Sequence, residues 1–428
     1  MSTRCHRYWE TDSDGLLALC NQGLEKLINP LDNDPIQRCG QDVSNELLKR
    51  PEELIRLSHE KLHVFPFKDV DACWRRLYTD ASIAKALLMI KAHLSEDKAS
   101  ATWLDDVVRA LDMALIMTGA PLREKMVEDL LDRLHQSTLD ERPLQKRAKQ
   151  EHAFPVEQFR EPEVKFPIAR STMSITAFER HLNKAVPLVI TGALEHWPAL
   201  HDRPWSDPSY LMDKTLGGRR LVPVELGRSY TDEGWGQKII TFGEFMDTYI
   251  LDPQGESLAY LAQHDLFAQM PSLRNDISIP DLCYTDPPPP PDRSSVAEKK
   301  IPHLEEPLLN AWFGPAGTIS PLHTDPYHNI LCQVVGKKYV RLYSPDQSEK
   351  LYPRGIEDGI DMSNTSRVPL EQVEMNLEDD LDGEFGQFAE ARYVETILNE
   401  GESLYIPVGW WHYVRSLTVS FSVSFWWN

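Results

Sequence analysis

The chain has 428 residues, 45 Lys and Arg against 66 Asp and Glu, and a formal net charge of −21. That length accommodates two or three domains, and 41% hydrophobic residues exclude a chain disordered throughout. The acidity argues against direct nucleic-acid binding and against a membrane surface, because phosphate-rich partners recruit Lys and Arg. It fits a basic protein or peptide partner, although a solvated surface is the simpler account of the charge on its own.

The N-terminal residues hold no apolar run, so no signal peptide is read there, and no apolar stretch approaches the roughly 18 residues that span a bilayer. The cysteines (Cys5, Cys20, Cys39, Cys73, Cys283 and Cys332) form no CxxC pair, which speaks against zinc spacings and against a secreted disulfide framework. A soluble, intracellular protein is expected. Residues 1–150 read as helical. Trp74, Leu77, Ile83, Leu87 and Leu94 recur at helical spacing, as do Leu104, Val107, Val108, Leu111 and Leu115. Gly119 then supplies a stop, and Pro121 a first residue for a helix carrying Val127, Leu130, Leu131 and Leu134. No strict repeat period is visible, so no solenoid is read.

From about 136 to 170 the chain is polar and holds Pro143, Pro155, Pro162 and Pro167, as a linker does. The partition expected is a helical domain at 1–150, a linker at 151–170 and a second domain at 171–428. The basic group Lys146, Arg147 and Lys149 is a candidate nuclear-import signal, or simply a solvated linker. Beyond it come short apolar runs bounded by Gly and Pro: 187–192, 310–314, 329–335, 339–343, 403–406 and 419–427. They predict a β-sandwich or barrel rather than βαβ units. Pro287 to Pro291 are consecutive prolines and must form a stiff surface loop. The acidic run Glu378–Glu384 reads as another exposed loop.

Within 312–325, His323 and Asp325 are two apart, so on an extended strand both side chains point the same way. An imidazole and a carboxylate on one face are two ligands of the facial triad that holds iron(II) and leaves positions open. Roughly one His-x-Asp pair is expected by chance in such a chain, so the motif needs support. A distant histidine should complete it, and His412 alone follows His328. His328 itself competes as a ligand but reads as structural or supporting. Lys338, just after a Gly336 turn, would return along a hairpin as the cation for a 2-oxoacid carboxylate. Ser320 and Asn329 flank the pair as hydrogen-bond donors. In the last strand Ser420, Ser422, Ser424 and Trp426 share one face, suggesting a polar cavity lining, against Phe421, Val423 and Phe425 on the other.

Taken together, 187–192, His196-Trp-Pro198, Trp312 to Asp325, Lys338, Ile406 to His412 and Ser420 to Trp427 resemble the JmjC-domain 2-oxoglutarate-dependent oxygenases, from about residue 165 to the C-terminus. The resemblance implies an α+β chain: an N-terminal helical domain, then a JmjC double-stranded β-helix (jelly-roll, cupin-like). It implies iron(II) on His323, Asp325 and His412, with 2-oxoglutarate and dioxygen as cosubstrates. By position Tyr260, Ser320, Asn329 and Lys338 match the family's 2-oxoglutarate pocket, and Trp312 and Trp426 its walls. The prolines at 287–291 depart from the pattern. The activity it implies is hydroxylation of arginine side chains in proteins, for which Glu225 would meet the guanidinium and Trp235 stack on it. The alternatives are demethylation of methyl-lysine on histone H3 and a histone-tail peptidase, for which no GxSxG motif exists here. A non-catalytic jelly-roll ranks last. Substrates would be basic proteins bearing Arg or methyl-Lys, histones among them. The location expected is the nucleus, in chromatin regulation, with the cytoplasm second.

Overall fold

The computed structural model describes residues 5–428 except 41–42, 67–68, 96–101, 142–152, 156–158, 232–233, 254–257, 292–298, 358 and 375–383; of 5–13 and 139–141 only the helical backbone is described. The Lys146 group lies outside the described residues, as does all of the acidic run except Glu384. The chain divides into two compact units, 1–150 with 215–221, and 151–214 with 222–428.

The first unit is built from α1 (Cys5–Ile28), the short α2 (Val43–Glu46), α3 (Pro51–Val64), α4 (Ala72–Ser95), α5 (Trp103–Thr118) and α6 (Glu124–Glu141). The apolar stripes meet in one core: Leu77, Ile83 and Leu87 of α4, Val107, Val108 and Leu111 of α5, and Val127, Leu130 and Leu134 of α6. Gly119 ends α5 in the left-handed conformation (φ 73°), its N–H donating to Leu115 O. Pro121 is not the first residue of α6. Ala120 and Leu122 both take positive φ, so the chain turns for longer and α6 begins at Glu124. It then runs to Glu141, into the stretch whose composition predicts a linker.

Helix α4 is central and buried on most sides, polar residues included. Its Arg76 reaches Asp34 (3.0 Å) and also Asp80, which Arg123 meets at 3.1 Å. Removing one member of such a buried set costs about 3–5 kcal/mol, since a charge is stranded. The segment 215–221 is held by the same logic: Arg220 pairs with the buried Asp112 of α5 at 2.7 Å, and Asp112 also accepts from Leu221 N.

Among the described residues the second unit carries fifteen strands: β1 (Arg170–Ser171), β2 (Leu188–Ile190), β3 (Leu221–Leu226, whose first residue belongs to the first unit), β4 (Gly236–Thr241), β5 (Ala259–His264), β6 (Leu308–Gly314), β7 (Ile319–Thr324), β8 (His328–Val335), β9 (Lys338–Tyr343), β10 (Ile356–Glu357), β11 (Ile360–Asp361), β12 (Tyr393–Leu398), β13 (Ser403–Ile406), β14 (Trp411–Ser416) and β15 (Ser420–Trp427). A nine-stranded sheet runs β1-β2-β13-β8-β15-β6-β5-β3-β4, a four-stranded one β12-β9-β14-β7, and β10-β11 form a small hairpin. Leu331, Leu404 and Ile406 of the large sheet pack with Val340, Leu342 and Val414 of the small one, forming the sandwich interior. The outer face of the large sheet carries the aromatic core, with Phe313, Phe421 and Phe425 beside Trp205 and Phe242. The second half of the expected linker is tied down: Lys165 N donates to the Glu395 carboxylate and Ile168 N to Glu395 O on β12. No helix among the described residues is long and apolar enough to cross a membrane.

Candidate metal centre

Strands β7 and β14 are antiparallel neighbours in the small sheet, and their register sets His323 directly opposite His412. Asp325 follows at the end of β7. Its carboxylate oxygens lie 3.6 Å from His323 Nε2 and 3.4 Å from His412 Nε2. The three donor atoms fall within 4.8 Å of one another, the one convergent His/Cys/Asp/Glu group of this kind among the described residues. His323 Nδ1 lies 2.7 Å from Pro321 O and His412 Nδ1 3.0 Å from Trp410 O. Each Nδ1–H donates to a carbonyl, which leaves the Nε2 lone pairs aimed at the common point. Burial, with His412 nearby, holds His323 neutral, its pKa down to about 4. Burial also opposes charge on Asp325 and His412, but their mutual attraction wins: the carboxyl is lowered and the imidazole raised. A neutral imidazole, an ionised carboxylate and three convergent donors fit a divalent metal of the iron(II) type.

Above the triad opens a narrow recess lined by Tyr260, Trp312, Ser320, Asn329, Lys338 and the triad itself. Leu331, Ile406 and Val414 complete its wall. Sequence patterning does not single these three out, because they alternate as any core strand residue does. Lys338 opens β9 after the Gly336 turn and is buried, with Nζ donating to Tyr260 OH at 3.1 Å. Burial alone pulls its pKa down to about 7. Ser320 hydrogen-bonds the same phenol. Asn329 donates to Asp325 at 3.4 Å, and its Oδ1 is buried with no protein partner. Tyr260 needs room: a Cβ on Gly314 would lie 2.7 Å from its ring.

Trp426 is placed differently from its expected role. It is paired in register with Asn329 and packs against Tyr327, outside the residues that line the recess. The serine row does not line an open cavity. Ser420 and Ser422 close a hydrogen-bonded set with Gln333, and Ser424 accepts from Trp312 Nε1 at 3.0 Å. His328 donates or accepts at Tyr405 OH (2.9 Å) and lies 3.3 Å from Pro288 O, so it packs the proline run against the fold. It is separated from His323 by a turn between β7 and β8, not by the opposite face of one strand.

Glu225 and Trp235, both chosen for a cationic substrate, are hydrogen-bonded to each other. Glu225 sits on β3 in register with Tyr260, the recess wall, and burial raises its pKa. Tyr230 is a further residue here. Its phenol lies 3.4 Å from Thr365 Oγ1, feels the charges of Asp325 and Glu225, and is pushed up to about 12, mainly by burial. No motif marked it, because it stands in a loop between two strands.

A two-sheet jelly-roll with a His-x-Asp and a distant His on neighbouring strands defines a cupin-type metal-centred protein. The family model described as a cupin-like domain matches residues 174–428, and that described as KDM8-like, N-terminal ARM repeats matches 44–150. The helical part is therefore a repeat region, correcting the expectation of no solenoid. Its helices of 14, 24, 16 and 18 residues are too unequal to leave a fixed period in the sequence. The chain is 36% identical to lysine-specific demethylase 8 of Danio rerio over 389 residues, 89% of this chain and 87% of that one. It is 35% identical to lysine-specific demethylase JMJ30 of Arabidopsis thaliana (87% and 84% covered), and 38% to Jumonji C domain-containing protein 5 of Drosophila melanogaster (56% and 54%). The chain belongs to the JmjC 2-oxoglutarate oxygenases, in the group that carries KDM8-like N-terminal ARM repeats.

Proposed function

We propose that this oxygenase binds iron(II) at His323, Asp325 and His412 and 2-oxoglutarate in the adjoining recess, and oxidises a cationic side chain of a protein substrate. The observation that carries the reading is the convergence of the triad beside a buried lysine that no carboxylate neutralises among the described residues. Lys338 would take the far carboxylate of 2-oxoglutarate, with the Tyr260 and Ser320 hydroxyls completing its hydrogen bonds. Asn329 would steady the Asp325 carboxylate. Iron(II) and 2-oxoglutarate, when bound, supply the oxidising chemistry that inserts one oxygen of O2 into a C–H bond while releasing CO2 and succinate. Glu225 and Trp235, beside Tyr260, would orient the cation by charge and by an aromatic face.

Two cationic substrates meet that description. The names of the relatives favour N-methyl-lysine, where the hydroxylated methyl leaves as formaldehyde once the N–C bond breaks. Arginine hydroxylation, placed first by the sequence, is supported by the Glu225 carboxylate, which matches a guanidinium fork. Basic proteins such as histones are the proposed substrates, and the nucleus, with the cytoplasm second, the proposed location. Full-length protein incubated with iron(II), ascorbate, 2-oxoglutarate and basic peptides bearing methyl-lysine or arginine separates them by mass spectrometry. Methyl loss with formaldehyde identifies the first; one added oxygen on arginine identifies the second. Glu225→Ala is expected to lower kcat/KM by about tenfold or more, the worth of one charge-assisted contact. A chain unable to form succinate with any peptide, in which His323→Ala binds iron(II) as before, would refute the assignment.

A further inference from the structure

The first unit bears a groove of about 870 Å3 that the catalytic reading does not use, bordered by α3, α4 and α5. Its floor is apolar: Ile55, Leu88, Met89, Ala110 and Met113, each only partly buried by the unit's own packing. Its rim is basic. In a chain with a charge of −21, Lys49, Arg50, Arg56, Lys85 and Arg109 line the groove against Glu52, Glu53 and Asp106. Three of the cations are engaged by neighbours: Lys49 and Arg50 by Glu46 (3.1 and 2.8 Å), and Lys85 by Glu52 (3.0 Å). Arg56 and Arg109 stand exposed with no ion pair among the described residues.

We propose that this groove is a docking site for an acidic peptide segment that carries apolar side chains. The two unpaired guanidinium groups would receive carboxylates, for which their planar forks are suited. The floor would accept the apolar residues, and its two methionines adapt their shape to what enters. A nucleic acid fits less well. Its phosphates would meet Glu52, Glu53 and Asp106 on the same rim, and its backbone has nothing to place on an aliphatic floor. The site would let the helical unit choose a partner independently of the basic substrate proposed for the oxygenase centre.

The test uses the full chain and fluorescence anisotropy with a fluorescein-labelled peptide of repeating Glu-Leu-Asp-Phe. The expected result is saturable binding that weakens with added salt and is unaffected by 2-oxoglutarate. The double variant Arg56→Glu, Arg109→Glu should weaken it by about tenfold or more, two charge-assisted contacts being lost. Both residues are exposed, so far-UV circular dichroism and 2-oxoglutarate turnover should match the parent chain. A second variant, Met113→Gln, should weaken the peptide without changing the salt dependence. Equal affinity for a Lys-Leu-Lys-Phe repeat, displacement of the peptide by oligothymidylate, or unchanged binding by the double variant would each overturn the proposal. So would sedimentation showing that the groove is consumed by a second copy of the chain. Loss of catalysis without loss of peptide binding would fault the oxygenase reading alone.

Discussion

Lys338 shows what a single buried residue contributes. It has no carboxylate partner among the described residues, and burial pulls its pKa to about 7, so near neutral pH it is poised between charged and neutral forms. An incoming dianion favours the charged form. Binding should therefore take up a proton above about pH 7, and the affinity for 2-oxoglutarate should fall towards tenfold per pH unit there, while staying flat below. Equilibrium dialysis of the metal-loaded protein under argon measures this, and an affinity constant to about pH 9 would contradict it. Lys338, His323, Asp325 and His412 were legible only as a set, since a His-x-Asp pair alone arises about once by chance but gains weight from a distant histidine and a lysine after a glycine turn. Leu331, Ile406 and Val414 were not: an aliphatic side chain facing a recess looks the same in sequence as one facing the core.

At the scale of elements, the connection from β8 to β9 decides where Lys338 stands; it crosses from the nine-stranded to the four-stranded sheet rather than forming the expected hairpin. Gly336 turns it at φ 73°, and a Cβ there would collide with the Val419 carbonyl. Gly336→Ala should thus raise the KM for 2-oxoglutarate by about tenfold or more while leaving iron(II) affinity near the parent value, since β7 and β14 hold the triad without this turn. Equal losses in both, measured by turnover and by metal titration, would mean that the small sheet itself has shifted. Six strands of the sandwich could be seen as apolar runs. Strands β3, β4, β5 and β12 could not, because their half-buried residues mix polar and apolar without clear alternation. The helices α4 to α6 could be read from their stripes, yet their shared repeat character could not, since unequal lengths erase the period.

Across the whole molecule the charge of −21 acquires a more specific meaning. A basic substrate should be drawn to an acidic chain at long range, and such steering is screened within about 10 Å at 0.1 M salt. Raising the ionic strength about tenfold should lower kcat/KM for a basic peptide several-fold, with kcat nearly constant. Stopped-flow or initial-rate series with peptide variants of decreasing positive charge would show the slope shrinking in step. A slope independent of peptide charge would leave the acidity as solvation only.

The clasp between Asp112 and Arg220 has a consequence for how such a chain can be inherited. The helical unit draws one of its buried partners from a segment that follows residue 200, so the two units are interleaved in sequence rather than strung as beads. A gene fusion or exon exchange that moved residues 1–150 alone would carry off a desolvated carboxylate and leave its guanidinium behind. Repeat region and oxygenase must therefore travel through evolution as one heritable piece, or the clasp must be replaced on both sides at once.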